Sequence, residues 1–194
     1  MLKIQKRCVW PGEDLLMIRY HDREWGVPVH RDRKMFEFLV LESAQAGLSW
    51  KTILHRRDGY RRAFANFDPD RVARYSQRDI LRLMHDARII RNRAKITATI
   101  KNAKAFLAVR EEWGTFSAYL WHFVDGKTVL GRRRSERDIP AITPLAEGIS
   151  KDMKQRGFSF LGPTVVYAHL QATGIVNDHM VSCFRYHQLT TTKK

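Results

Sequence analysis

The sequence predicts an all-α fold from three observations. Apolar residues recur at steps of three and four along several segments, which is the periodicity of amphipathic helices. Residues that commonly begin or end helices flank those segments. Strict alternation of polar and apolar residues, the pattern of a half-buried strand, is scarce. With 194 residues, 44% of them hydrophobic and 28% charged, we expect one folded domain over residues 1–194, built of two helical lobes.

The first predicted helix begins near Arg33, with Asp32 as its N-cap. Its apolar face would carry Met35, Phe38, Leu39, Glu42 and Ala46. Further helices are predicted over 70–75, 77–85, 94–110, 116–123, 150–156 and 163–174. Gly157 and Gly174 are suited to end the last two, and Pro163 to begin the final one. Turns are expected at 125–126 and at Gly131, and residues 126–148 have no clear pattern.

The chain is strongly basic, with 35 Lys and Arg against 20 Asp and Glu, a formal net charge of +15. A polyanion such as nucleic acid is the partner that such a surface favours, although basic proteins without that role exist. No apolar run approaches the roughly 18 residues needed to span a bilayer, and the first residues lack the features of a signal peptide. We therefore expect a cytoplasmic protein without a membrane partner.

The two cysteines, Cys8 and Cys183, each have a histidine in the same part of the sequence. On a helix, His179 and Cys183 would share one face and offer half of a tetrahedral metal site. Cys8 and His21 would complete a closed Cys2His2 set, which favours a structural Zn²⁺ that joins the terminal segments 1–30 and 175–185. The alternative is that two buried thiols and two buried histidines never meet.

The segments 20–28 and 41–50 combine aromatic residues with a carboxylate. The candidate base-binding residues are Tyr20, Trp25, Glu42 and Trp50. Such a set could receive an extruded base, because flat rings sandwich it, Glu42 hydrogen-bonds its edge, and Gly47 with Leu48 fills the gap left in the stack. Alternatively, the aromatic residues are ordinary core packing and Glu42 pairs with an arginine.

Residues 82–104 contain seven Lys and Arg against the single acid Asp86. The pattern indicates a helix, a tight turn and a second helix, with Arg88, Arg91, Arg93 and Lys95 around the turn. Backbone N–H groups of such a turn and of the following helix can hold a DNA phosphate. The alternative is a solvated basic loop.

Several blocks closely resemble the 3-methyladenine DNA glycosylase I family, a branch of the helix-hairpin-helix glycosylases. The matching blocks are CVW at 8–10, YHDREWGVP at 20–28, LESAQAGLSW at 41–50, IIRNRAKI at 89–96, GFSFLG at 157–162 and GIVNDH at 174–179. They occur in order over nearly the whole chain. The resemblance implies a monomeric, all-α, helix-hairpin-helix enzyme of base excision repair, acting on double-stranded DNA that contains methylated adenine.

The resemblance also assigns roles to individual residues. It places a structural zinc on Cys8, His21, His179 and Cys183, stacking aromatics at Tyr20 and Trp50, and Trp25 in the pocket wall. It makes Glu42 the recognition glutamate and catalytic residue, and Gly47 and Leu48 the gap-filling loop. It places Arg91, Arg93 and Lys95 in the hairpin that binds DNA.

We expect a monofunctional enzyme, because no lysine stands out as a Schiff-base nucleophile. An ionised Glu42 would accept hydrogen bonds from the extruded base, and water would attack the sugar carbon. Two other hypotheses remain: a non-catalytic, zinc-stabilised module that binds or senses damaged DNA, and a hydrolase whose zinc is catalytic.

Overall fold

The computed structural model describes residues 5–191. Its α-helices are α1 Leu15–Arg23, α2 Asp32–Gln45, α3 Trp50–His55, α4 Arg57–Ala63, α5 Pro69–Val72, α6 Gln77–Met84, α7 Arg93–Trp113, α8 Phe116–His122, α9 Pro144–Gln155, α10 Pro163–Ala172 and α11 Phe184–Thr191. Short 3₁₀ helices cover Ala65–Phe67 and Glu136–Asp138, and two-residue strands β1 Val129–Leu130 and β2 Val176–Asn177 form one parallel pair. The prediction of a helical fold is confirmed. Over residues 5–191, no helix is both long and apolar enough to cross a membrane.

Helix α2 is the centre of the core. Ten of its fourteen residues are buried, so it is covered on every side rather than along one stripe. Helices α3, α7, α8 and α10 pack around it. Glu42 lies within this buried stretch, which fixes its carboxyl group on a rigid element.

Helix α7 is the longest helix and contains the predicted segment 94–110. It begins where the Asn92 side chain accepts a hydrogen bond from the Lys95 backbone N–H at 3.1 Å. It ends at Gly114, whose φ of 76° is in the region that favours glycine. Its first turn therefore follows directly on the predicted basic turn.

Asp32 caps a different helix from the one predicted. The N-cap of α2 is Arg31, and the Asp32 carboxylate accepts hydrogen bonds from the backbone N–H groups of Phe116 and Ser117, both at 3.0 Å. These groups belong to the first turn of α8, where N–H groups have no partner within the helix. The carboxylate thus fastens the start of α2 to the start of α8.

Other boundaries also differ from the prediction. Helix α9 begins at Pro144, six residues before the expected start, because Thr143 caps it by accepting from the Ala146 N–H at 3.2 Å. Helix α5 ends at Val72, before the expected end. Helices α1, α3, α4 and α11 had not been predicted; three of them are shorter than nine residues.

The strand pair orders the segment that had no clear pattern. Val129 and Leu130 pair with Val176 and Asn177, and an isolated bridge continues the contact from Arg133 to Met180. These contacts bring residues 131–139 alongside the segment that carries His179.

Buried Asp178 holds this loop in place. Its carboxylate accepts from Arg133 Nε and Gln171 Nε2, both at 2.8 Å, and from the Tyr167 hydroxyl. A Cβ atom at Gly131 would collide with the same carboxylate, so only glycine fits at that position.

Candidate functional site

Helix α1 presents two successive residues to two different sites. Asp14 caps the helix by accepting from the backbone N–H groups of Leu16 and Met17. Tyr20 then lines an internal cavity, while His21 faces the two cysteines. Both side chains are buried, so the position of α1 couples the two sites.

The four predicted metal ligands lie together. Each of Cys8, His21, His179 and Cys183 offers one ligand atom, and these atoms lie within 4.8 Å of one another. The sulfurs of Cys8 and Cys183 are each 3.7 Å from Nδ1 of His179, and Cys183 Sγ is 3.5 Å from Nε2 of His21. All four residues are buried.

These distances fit a tetrahedral metal site. With metal–sulfur and metal–nitrogen bonds of about 2.3 and 2.05 Å, the sulfur–nitrogen edge of a zinc tetrahedron is about 3.55 Å. A hydrogen bond with Cys183, together with burial, raises the pKa of the Cys8 thiol, so two thiolates in this space require a cation beside them. The described residues thus form a buried Cys2His2 cluster that could hold a metal ion.

The second nitrogen of each histidine is also engaged. His21 Nδ1 lies 2.8 Å from an oxygen of Asp22, and His179 Nε2 lies 2.9 Å from the backbone oxygen of Trp25. When His21 Nδ1 and His179 Nε2 carry the ring protons and donate these bonds, the other nitrogen of each ring, His21 Nε2 and His179 Nδ1, has a free lone pair for a metal ion. Trp25 therefore links the metal cluster to the cavity it lines.

The local geometry of His179 and Cys183 differs from the prediction. They lie in a turn between β2 and α11 rather than on a helix, and the Cys183 N–H donates to the Met180 oxygen at 2.8 Å. The Met180 N–H in turn donates to Cys8 Sγ at 3.3 Å. The turn brings positions i and i+4 together as a helix would, because the bridge to Arg133 fixes its path.

The predicted base-binding residues line one cavity of about 410 Å³. Its wall contains Tyr20, Trp25, Glu42 and Trp50, together with Trp10, Gln45, Glu136, Ile139, Ala168 and Gln171. This volume is in the range of small-molecule binding sites, and the lining combines four aromatic, two aliphatic and four polar or charged residues.

The aromatic rings do not form two parallel plates. The ring centroids of Tyr20 and Trp50 are 5.1 Å apart and the planes are tilted by 48°, which is direct contact. No base fits between them as they stand, so the expected sandwich of Tyr20 and Trp50 is not preformed. The two rings instead make a corner at the cavity wall.

Glu42 is buried in the cavity wall, with only 5% of its surface exposed. Among the described residues no arginine or lysine forms an ion pair with it, so the alternative of an arginine partner is wrong. Burial raises the pKa of Glu42 to about 8. Glu42 therefore holds a proton at neutral pH in the free protein, contrary to the expectation that it is ionised. Burial and the nearby Glu42 also raise the pKa of Tyr20, so its phenol stays protonated.

Sequence reasoning missed Trp10 as a cavity residue, although it stands only two positions after Cys8. Its ring contacts those of Trp25 and Tyr20, with centroid distances of 5.1 and 6.2 Å. The indole N–H groups of Trp10 and Trp50 are buried without a hydrogen-bond partner. Buried donors of this kind are normally satisfied, so both are available to a ligand's acceptors.

Gln45, the last residue of α2, lines the cavity just before the loop that carries Gly47 and Leu48. Gly47 has a φ of 77°, and Leu48 is 40% exposed at the tip of the loop. Lys95 does not face solvent as a phosphate ligand would: its Nζ donates to the backbone oxygens of Ala44 and Ala46, at 2.8 and 2.6 Å. Lys95 thus ties the first turn of α7 to the end of α2.

The turn between α6 and α7 is strongly basic on its surface. Arg91 and Arg93 are exposed, and none of the ion pairs in the described residues involves them. Arg88 by contrast pairs with Asp86 at 2.8 Å. Arg91 and Arg93 are therefore the cations of this turn that remain available to a partner.

The helical fold places a buried carboxyl group without an ion-pair partner in a cavity walled by tryptophan and tyrosine, which are the features of a site that can accept a flat heteroaromatic ring with hydrogen-bonding edges. Comparison with known protein families identifies a more specific class of protein. The model of the methyladenine glycosylase family matches residues 10–186. The chain belongs to that family, whose members are N-glycosylase hydrolases, and the resemblance inferred from the sequence is confirmed.

The similarity of this chain to known enzymes, in sequence and in structure, extends over most of each protein. DNA-3-methyladenine glycosylase 1 of Escherichia coli (strain K12) is 44% identical over 181 residues, which are 93% of this chain and 97% of that protein. A crystal structure of a 3-methyladenine DNA glycosylase I superposes with a TM-score of 0.90 at 46% identity, covering 92% of this chain and 98% of that one. A tyrosine-to-phenylalanine variant of such an enzyme, in complex with 3-methyladenine, gives 0.89 at 36% identity and covers 92% and 96%.

Proposed function

We propose that this protein is a monofunctional DNA glycosylase that extrudes 3-methyladenine from alkylated duplex DNA and hydrolyses its N-glycosidic bond, which begins base excision repair. The observation that carries the proposal is the buried, unpaired carboxyl group of Glu42 in the aromatic cavity. A similar enzyme is described in complex with 3-methyladenine, which supports the choice of base.

Charge gives the cavity its preference for the damaged base. Methylation at N3 makes adenine in DNA a cation, whereas the normal base is neutral. A cation beside Glu42 lowers the pKa of the carboxyl group again, and the proton leaves to solvent. The resulting carboxylate attracts the cation in a site with little water, and the neutral base offers no charge to offset the desolvation of Glu42.

The aromatic walls add to the same preference. The faces of Tyr20, Trp25 and Trp50 attract an electron-poor ring by cation–π interaction. Since Tyr20 and Trp50 touch in the free protein, we propose that the base enters against the corner they form and that Trp50, which is half-buried, moves to receive it. The free indole N–H groups of Trp10 and Trp50 can donate to ring nitrogens.

Hydrolysis then needs little acid catalysis, because the cationic base leaves as neutral 3-methyladenine. The bond between the base and the sugar carbon breaks, and the oxygen of a water molecule forms the new bond to that carbon. The water's proton passes to solvent or to the Glu42 carboxylate. The negative charges of Glu42 and of the DNA phosphates stabilise the oxocarbenium character that develops on the sugar.

We also propose that Cys8, His21, His179 and Cys183 hold a structural Zn²⁺. A zinc ion supplies a fixed cross-link here and no reactive water, because four protein ligands fill a tetrahedral shell. His21 adjoins Tyr20 in α1, and Trp25 accepts from His179, so the cross-link keeps two cavity walls in place.

For the DNA, we propose that α6, the basic turn and the start of α7 act as a helix-hairpin-helix element. Arg91 and Arg93 would contact phosphates, with backbone N–H groups at the start of α7. Gly47 and Leu48 would occupy the space that the extruded base leaves. We propose that the protein acts on its DNA as a monomer.

The test is incubation with methylated duplex DNA and chromatographic identification of the released base. We expect free 3-methyladenine and an abasic site from the wild-type protein, and strongly reduced release from Glu42→Gln. Glu111→Gln, which changes an exposed glutamate on α7, is the matched control and should be fully active. A damage-sensing module would bind the DNA and release no base, which would refute the proposal. Metal analysis with four protein ligands and no metal-bound water would separate it from a hydrolase with catalytic zinc.

A further inference from the structure

The loop between α9 and α10 presents an exposed phenylalanine in an unfavourable backbone conformation. Phe160 has a φ of 58°, in the left-handed region that bulky residues rarely adopt. Its side chain is 46% exposed, whereas Phe158 and Leu161 on either side are buried. Such strain persists only where the surrounding structure enforces it, and it is concentrated at functional sites.

Two helices hold this loop rigidly. The Asn102 side chain of α7 donates to the Ser159 oxygen at 2.9 Å and accepts from the Ser159 N–H at 2.8 Å. The Ser150 hydroxyl of α9 donates to the Leu161 oxygen at 2.7 Å. The outward position of Phe160 therefore follows from fixed backbone contacts on both sides of it.

The surface around Phe160 carries cations without partners. With the first turns of α7, Phe160 borders a mainly apolar cavity of about 510 Å³, lined by Arg93, Ala94, Thr97, Ala98, Lys101, Ser159 and Phe160. Lys101 also borders an adjoining cavity, where Lys151 and Lys154 face Glu147. Among the ion pairs of residues 5–191, none involves these three lysines or Arg93. Four free cations against one acid favour a polyanionic partner.

This surface lies close to the proposed base-binding site. Lys95, on the same turn of α7 as Ala94 and Ala98, reaches the end of α2 at Ala44 and Ala46. Phe160 and the Leu48 loop thus border two flanks of one helix.

We propose that Phe160, with Arg93 and Lys101, forms a second contact with the duplex, on a different flank of α7 from the Leu48 loop. The ring packs in a groove against sugars and base edges, and the two cations neutralise phosphates beside it. This inference rests on the proposed function, since it extends the DNA surface of that site.

Phe160→Gly separates binding from folding. Glycine adopts a φ of 58° freely, so the variant should have an unfolding temperature no lower than that of the wild type. Its affinity for an undamaged duplex, measured by fluorescence anisotropy, should fall about tenfold. Its affinity for free 3-methyladenine should be unchanged. Phe160→Tyr keeps the ring and should bind DNA as the wild type does, and Ile142→Ala is the control for losing another exposed apolar side chain.

The salt dependence of duplex binding gives a second test, at Lys101, whose exposed side chain contributes no buried packing. Lys101→Met should reduce the slope of log K against log salt by about 0.9, while Lys127→Met, at an exposed lysine that lines neither cavity, should leave it unchanged. Unchanged duplex affinity in Phe160→Gly, or an unchanged slope in Lys101→Met, would overturn the inference. If the wild type still releases 3-methyladenine in that case, the proposed function stands; if the wild type releases none, the proposed function itself has failed.

Discussion

Glu42→Gln should make the protein more stable at neutral and alkaline pH while it reduces base release. In the unfolded chain the carboxyl group has its ordinary pKa of 4.5, and in the folded protein burial raises the pKa to about 8. The folded state therefore binds the proton more tightly. The contribution of Glu42 to stability is fully present below pH 4.5 and is lost as the pH rises to 8 and beyond.

The size of this effect follows from the shift. Each pKa unit corresponds to about 1.4 kcal/mol, so burial of the ionised group destabilises the fold by about 5 kcal/mol at most above pH 8. Glutamine has a similar size and does not titrate. The free energy of unfolding of the wild type minus that of the variant should therefore fall by up to about 5 kcal/mol between pH 4 and pH 9.

Urea denaturation of both proteins at several pH values measures this difference. Comparison within the pair cancels the other titrating groups, such as Glu24, whose pKa is lowered to about 2 by its bonds to Arg57 and Lys34 against the opposing effect of burial. The cost of burying the glutamine amide shifts this difference equally at every pH, so it does not affect the change of the difference with pH. A difference that stays constant to within about 1 kcal/mol from pH 4 to pH 9 would refute the reasoning, because Glu42 would then titrate as an exposed carboxyl group.

Three further predictions concern the supports of the site. Cys183→Ser should abolish stoichiometric zinc binding in metal analysis. It should also lower the unfolding temperature, by about 6–12 °C for each 3 kcal/mol of unfolding free energy that the variant loses. Lys95→Met removes the donor to the two carbonyls at the end of α2. Single-turnover excision from duplex DNA should therefore slow about tenfold, while the affinity for free 3-methyladenine is unchanged. The control is Lys104→Met, at an exposed lysine of α7, which should change neither the rate nor the affinity. Asp32→Ala removes the acceptor of the Phe116 and Ser117 N–H groups in the first turn of α8 and should lower the free energy of unfolding by about 1–2 kcal/mol in urea titrations.

Much of the fold could be predicted because long helices carry their own signals. Helices α2, α6, α7, α8 and α10 follow from apolar periodicity with prolines, glycines and caps at their ends. The role of Asp32 could not be predicted, because its partners at Phe116 and Ser117 are more than eighty residues away. Lys95 shows the same limit, since a basic residue beside a turn suggests a phosphate and only the fold reveals two carbonyls.

In the candidate site, too, some features could be predicted from the sequence and others depend on the tertiary structure. Residue type, spacing and the family resemblance together selected four candidate metal ligands and four candidate base-binding residues, and the fold brings the members of each set together. Tertiary structure alone gives the protonation of Glu42, because its pKa depends on the absence of water and of a cation around it. The segment 131–139, which adds Glu136 and Ile139 to the cavity, was not readable because a two-residue parallel strand has no pattern of its own.

The long sequence separation within the Cys2His2 cluster sets the order of events during synthesis. Cys8 and His179 are 171 residues apart, so the first residue of the cluster leaves the ribosome well before the C-terminal pair. At about 5–20 residues per second this interval is about 8–30 s. During it Cys8, His21 and Trp25 have no partner in the C-terminal turn, and their thiol, imidazole and indole groups are open to solvent and to other metal ions. A nascent chain that is released early thus lacks half of the cluster and cannot close the wall of its base cavity.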